Sequence, residues 1–231
     1  VEAFEPDEVV LLPLYPQFSA TTTGSSLKAW RRTYRGPGRS HAVCCFYAEE
    51  GLARAHASRI MECWDKAGRP EPVRLLFSAH GLPERNVRAG DPYQWQVERT
   101  CEAIAAGLEG SWDWRVCYQS RVGPMKWLGP TTPEAIRDAC EAGMNVLIDP
   151  VAFVSEHVET LVELDRDYAA LAEAAGCDHY LRARAVGTQP EFIDGLARTV
   201  EKALGQSGVC PEGARCAGDW RECPLQSEGR A

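Results

Sequence analysis

The chain has 231 residues, a formal net charge of −8, and 45% hydrophobic and 25% charged residues. That length buries a real core and the composition is that of an ordinary globular protein. The acidic balance argues against nucleic acid as the main partner, since a phosphate backbone calls for a basic face. No apolar run nears the ~20 residues of a membrane-spanning helix, and Val1-Glu2-Ala3-Phe4-Glu5 lacks the apolar stretch of a secretion signal.

The predicted elements alternate. Residues 9–14 read as a strand ending at Tyr15-Pro16, followed by a Thr/Gly/Ser loop and a helix through Leu27-Lys28-Ala29-Trp30. Arg35-Gly36-Pro37-Gly38 leads to a strand at 42–47 and a helix over 48–67, closed by Gly68 and Pro70. A strand at 73–77, a helix over 92–108 and a strand at 115–118 come next. Thr132-Pro133-Glu134 then opens a helix with Pro at its first position. A strand at 145–148, a helix over 156–175, a short strand at 179–184 and a last helix over 190–204 complete the pattern. Such alternation predicts an α/β fold with a largely parallel sheet, in which ligands collect beyond the carboxyl ends of the strands.

Three unusual peptides fall at those ends. In Leu76-Phe77-Ser78-Ala79-His80-Gly81-Leu82-Pro83 an apolar strand delivers His80 to a bend. A neutral imidazole there accepts a proton or binds a metal near pH 7; the plainer reading is a histidine that hydrogen-bonds a loop. In 149–165, Ser155 stands where a helix cap belongs. Glu156, Glu159 and Glu163 follow at i, i+3, i+7 on one face of the predicted helix. A bound cation would relieve their repulsion, or the acids face solvent and complement the helix dipole. In 119–130, two Gly-Pro pairs shape a loop carrying Arg121, Lys126 and Trp127, suited to a flat carboxylated ligand. The alternative is a surface loop with Trp127 packed into the core.

Of the ten cysteines, those in patterned segments, such as Cys44, Cys45 and Cys117, read as small buried apolar groups. Cys210, Cys216 and Cys223 lie in a polar, Gly-rich tail with the spacing C-x5-C-x6-C.

Taken together, the peptides are similar to one family. Tyr15-Pro16-Gln17-Phe18-Ser19, Thr21-Thr22-Thr23-Gly24-Ser25-Ser26, Phe77-Ser78-Ala79-His80-Gly81-Leu82-Pro83 and Gly90-Asp91-Pro92-Tyr93 resemble ferrochelatase in the same order. The segments 119–130 and 153–165 continue the match, which runs from about residue 9 to residue 204. Gln-Ser-Arg-Val-Gly-Pro and Ser-Glu-His-Val-Glu-Thr-Leu look like the protoporphyrin-using enzymes of Gram-negative bacteria and mitochondria.

The resemblance implies two Rossmann-like chelatase domains with parallel sheets, the first incomplete because the family's opening strand and Gly-rich loop are not in this sequence. Residues 1–38 would be the remainder of the first domain and 39–189 the second. Residues 190–205 would form a helix packing back on the first, and 206–231 the cysteine tail. It implies insertion of ferrous iron, the metal substrate, into protoporphyrin IX to form protohaem. Coproporphyrin or cobalt chelation, or non-catalytic porphyrin or haem binding, are the alternatives.

His80 matches the family's essential histidine and Glu159 its essential glutamate, both associated with metal binding and pyrrole deprotonation. Glu163 and His157 match supporting polar residues; Tyr15, Trp127 and Phe153 match porphyrin-lining positions; Arg121 stands where a basic residue is expected. Some members carry a [2Fe–2S] cluster on cysteines of such a tail, here Cys210, Cys216 and Cys223. Three thiolates are one short of four. The fourth would come from Cys44, Cys45, Cys63 or the missing segment, since Ala20 stands where the animal enzymes supply it. A zinc site or a disordered tail are the alternatives. A cytoplasmic location follows from haem biosynthesis, peripheral contact with a membrane would suit a water-insoluble substrate, and monomer and homodimer both fit.

Overall fold

The computed structural model describes residues 1–206, 208–210 and 216–227. Two parallel sheets form the frame. The first has three strands in the order β1 (Glu8–Leu11), β2 (Arg39–Val43) and β7 (Gly208–Cys210). The second has four, ordered β4 (Asp113–Gln119), β3 (Val73–His80), β5 (Asn145–Asp149) and β6 (Tyr180–Arg182). The chain is therefore α/β with parallel sheets.

Strand β3 explains the second sheet. Its apolar run is nearly continuous, as a strand covered on both faces requires. Leu75 and Phe77 face α2 (Glu50–Lys66) and α4 (Tyr93–Gly107), packing with Ile60, Val97 and Ile104. Leu76, one residue out of phase, packs with Ile136 of α5 (Thr132–Glu141) and Ala172 of α6 (Tyr168–Ala174). Helix α5 forms at the Thr-Pro-Glu peptide with its cap one residue earlier than that peptide suggests: Thr131, not Thr132, makes a reciprocal capping box with Glu134, and Pro133 lies in the first turn. Helix α7 (Pro190–Leu204) lies against β1, β2 and α2, its Phe192 sharing a core with Val43, Phe46 and Leu52. A buried pair, His56 Nδ1 to Asp149 Oδ1 at 3.0 Å, ties α2 to the end of β5.

Three expectations are corrected. The strand expected at 42–47 is β2, which pairs with β1 (Val9 opposite Ser40). Residues 39–43 thus join the first sheet, across the expected boundary at residue 38, where Val43 packs with Val10, Leu12 and the Phe192 of α7. The helix expected over 156–175 starts later, and its first part, Glu159–Asp167, is π-helical before it continues as α6. Ser155 is not its cap. Instead the His157 ring accepts the Glu159 N–H at 3.1 Å, and the Thr160 hydroxyl bonds the backbone of His157, so these side chains serve the first turn. The Thr/Gly/Ser loop is also helical: a π-helical turn at Ala20–Gly24, capped by Ser19, runs into α1 (Ser25–Thr33). Two short helices, α3 (Glu84–Arg88) and α8 (Pro224–Ser227), carry no periodic signal of their own. Among the described residues, no helix is long and apolar enough to cross a membrane.

Candidate active site

β3 and β4 end side by side, with His80 opposite Gln119. Beyond them lies a cleft of about 440 Å³ lined by His80, Glu159, His157, Phe153, Trp127 and Tyr15. Its far wall is the segment after β1, with Gln17, Ser19, Thr21 and Thr22. A wider groove of about 710 Å³ runs between α2 and α4, but alanines and paired surface charges line it and no histidine or cysteine does. The smaller cleft is where the chemistry-bearing groups converge.

The central pair is His80 and Glu159, 3.0 Å apart from Nε2 to Oε1 and each partly open to solvent. His80 Nδ1 lies 2.7 Å from the carbonyl oxygen of Gly81. A carbonyl only accepts, so Nδ1 is the donor and Nε2 is the nitrogen turned to the carboxylate. Nε2 and Oε1 both carry lone pairs, so the contact is stable with one proton, or another cation, shared between them. The buried Tyr93 hydroxyl donates to the His80 carbonyl at 3.0 Å, fixing the strand end. Phe153 stands edge-on to both His157 and His80, with ring centroids 4.8 and 6.4 Å away. Gly81 has room for no side chain: a Cβ would sit 2.8 Å from the Gln119 carbonyl oxygen and 3.2 Å from the Trp127 ring.

The three-carboxylate face does not form. Glu156 lies outside the helix, where it accepts from Arg182 at 2.7 Å and from the Ala185 N–H at 2.9 Å. Glu163 turns away from the cleft lining and accepts from the Ser120 N–H at 2.9 Å, Gln119 Nε2 at 3.0 Å, Tyr168 at 2.6 Å and the Ser120 hydroxyl. Burial alone would raise its pKa, but these donors outweigh it and hold the carboxyl below its usual range. Glu163 therefore anchors the turn at Ser120, whose φ is +60°. Arg121 is likewise not part of the lining; it donates to the Leu128 carbonyl at 2.7 Å and braces its own loop.

One positioning residue escaped the residue-by-residue reading. Asp91 is fully buried and accepts from the Ser19 hydroxyl and the Ala20 N–H, each at 2.9 Å, and from the Tyr93 N–H at 3.0 Å. Desolvation dominates, so its pKa is raised despite these donors. Gln96 and Thr100 of α4 add bonds to the Phe18 N–H at 2.7 Å and to Gln17 at 3.1 Å. The signal was the Gly90-Asp91-Pro92-Tyr93 peptide, an acid in a turn at a helix start, which pattern alone assigns to capping.

A family model described as "Ferrochelatase" matches residues 1–204. The chain belongs to the ferrochelatase family. The ferrochelatase of Caulobacter vibrioides (strain NA1000 / CB15N) is 58% identical over 236 residues, covering 100% of this chain and 67% of that protein. That of Phenylobacterium zucineum (strain HLK1) is 54% identical over 232 residues, covering 100% and 68%. This chain thus spans about two thirds of the length of these ferrochelatases. Solved structures share the fold. SirB from Bacillus subtilis with Fe3+ gives a TM-score of 0.59 at 14% identity, covering 88% of this chain and 76% of that one. CbiX, the terminal enzyme for biosynthesis of sirohaem in denitrifying bacteria, gives 0.60 at 20%, covering 88% and 79%.

The cysteines expected to bind a cluster in this ferrochelatase-family chain come together only in part. Cys216 lies against Cys45, whose sulfur is 3.3 Å from that of Cys44, and accepts from Gln96 at 3.2 Å. Donation from the Cys45 thiol, the largest influence, and from Gln96 and Tyr47 brings Cys216 down to about 6. Cys223 is buried, the side chain of Cys210 lies outside the described residues, and Cys63 packs in a different core beside the second sheet. Among the described residues no three His, Cys, Asp or Glu side chains are set to hold a metal ion.

Two substitutions test this architecture. Asp91→Ala removes one acceptor from three buried donors and is expected to cost about 3 kcal/mol or more in urea unfolding. Glu163→Gln is expected to cost about 1 kcal/mol at pH 7, a figure that allows for solvent screening of a half-buried group. Because the folded carboxyl is depressed, that difference is present above the unfolded value of ~4.3 and vanishes as pH falls through the folded value. A Glu163→Gln deficit that persists unchanged at the acid end would contradict the anchor.

Proposed function

We infer that this chain inserts ferrous iron into a porphyrin to form haem, and that His80 and Glu159 carry the chemistry. The observation that supports these roles most directly is the 3.0 Å contact between them in an aromatic-walled cleft. Insertion replaces two pyrrole protons by one Fe²⁺, so the site must take up two protons while the metal sheds water. Imidazole is suited by its pKa to accept a proton near neutrality, and carboxylate oxygens can hold and release Fe²⁺. With Nδ1 committed to Gly81, His80 Nε2 accepts the two pyrrole protons in turn, each leaving through Glu159 or directly to the solvent that reaches both groups, while the Glu159 carboxylate guides the metal. His157 steadies Glu159 through the backbone bond at 3.1 Å. Tyr15, Trp127 and Phe153 supply apolar surface against the macrocycle, and binding there offsets the bending that exposes the ring's nitrogen lone pairs. Protoporphyrin is our preferred substrate, on the likeness of the 119–130 and 153–165 segments.

The [2Fe–2S] cluster remains a proposal for Cys210, Cys216 and Cys223, with Cys45 or Cys44 as the added thiol. Its support is the sulfur contact of Cys216 with Cys45, next to β2, which β7 joins at Cys210.

Anaerobic insertion into protoporphyrin, followed by porphyrin fluorescence, tests the catalytic assignment in the whole protein. His80→Ala is expected to slow insertion by about 10²–10⁴-fold. An unmutated rate would remove His80 from the chemistry, and porphyrin binding with no insertion by the unmutated protein would make the chain a binding module. For the cluster, anaerobically purified protein is expected to contain iron and acid-labile sulfide; the absence of both would exclude it.

A further inference from the structure

Natural porphyrins are carboxylated, and the cleft already contains the Glu159 carboxylate in a chain of net charge −8. A carboxylated ring entering it needs a cation. Arg121 is held by the Leu128 carbonyl, and Lys126 pairs with Glu84 at 3.1 Å. Among the described residues, Arg85 is the one Lys or Arg lining the cleft.

Arg85 is also uncommitted. It sits on α3, immediately after the Pro83 bend that follows His80, and its side chain is exposed, with no ion pair or side-chain hydrogen bond among the described residues. The acid nearest in sequence, Glu84, is engaged by Arg88 and Lys126, which hold its carboxyl below the usual range. Asn86, beside it, lines the same cleft and makes no side-chain hydrogen bond among the described residues either. Both residues also face an adjoining groove of about 340 Å³ that contains Asp91 and Glu222. Asp91 is occupied by Ser19, Ala20 and Tyr93, and Glu222 forms no ion pair with Arg85.

We propose that Arg85, with the Asn86 amide beside it, binds a propionate carboxylate of the porphyrin and so sets how the ring enters between His80 and the Tyr15 wall. A guanidinium presents paired N–H donors that match a carboxylate. The macrocycle would exclude water from one side of the contact, strengthening it beyond an ordinary surface pair. This rests on the porphyrin reading above, and the experiment separates the two.

KM and kcat would be measured for protoporphyrin IX and its dimethyl ester, in detergent, with the unmutated whole protein, Arg85→Gln and Arg85→Lys. Arg85→Gln is expected to raise KM for the diacid about tenfold, with a much smaller change in kcat. The diester's KM should shift less than twofold, and Arg85→Lys should recover part of the diacid's affinity. An unchanged diacid KM in Arg85→Gln overturns the proposal, as does an equal rise for diacid and diester, which would mean that Arg85 acts on the ring or the fold. If the unmutated protein binds neither porphyrin, the function itself is wrong and this assignment falls with it.

Discussion

The cleft exists because Asp91 holds its two walls together. The segment after β1 carries Tyr15 to Thr22, and the segment after β3 carries His80 to Tyr93. These stretches belong to different sheets, and a buried carboxylate joins them by accepting from both sides. Burying such a group is unfavourable unless its lone pairs are met, and here three donors meet them. Gln96 and Thr100 repeat the device one and two turns further along α4. The Tyr15 wall and the His80–Glu159 pair therefore face each other at a spacing set by backbone-directed hydrogen bonds rather than by apolar packing alone.

On the opposite side, the π-helical stretch divides labour between two glutamates. The turn is bonded i to i+5, and it is the partners of Glu159 and Glu163, four residues apart, that separate their roles. Glu159 reaches the cleft, and Glu163 turns to the Ser120 backbone. Gln119 links the two, donating to the Glu159 carbonyl at 2.9 Å and to the Glu163 carboxylate at 3.0 Å. Gln119, at the end of β4, thereby ties the turn that carries Glu159 to the strand beside His80.

Much of this was legible before any coordinates. The apolar strand ending in His80, the Thr-Pro-Glu helix start and the last helix at Pro190–Leu204 each rest on local signals that tertiary contacts did not override. The pairing of β2 with β1 was not, because strand periodicity says nothing about which edge is open. The late, π-helical start at Glu159 was hidden for another reason: Ser155 and the regularly spaced acids mimic an ordinary capped helix, whereas His157 and Thr160 side chains satisfy the first turn. Arg121 and Glu163 are expected at the site from residue type, spacing and family resemblance; what those signals do not show is that each bonds backbone of the 120–128 turn and loop, a partnership between residues far apart in sequence or across a bend.

Strand β3 has one more consequence. It is paired with β5 over Val73–Phe77 and with β4 as far as His80, so His80 stands at the end of a strand fixed by two neighbours and covered on both faces. A stiff, planar guest therefore meets an imidazole whose backbone is already tied to its neighbours, and this leaves the guest, rather than the strand, as the partner that has to give.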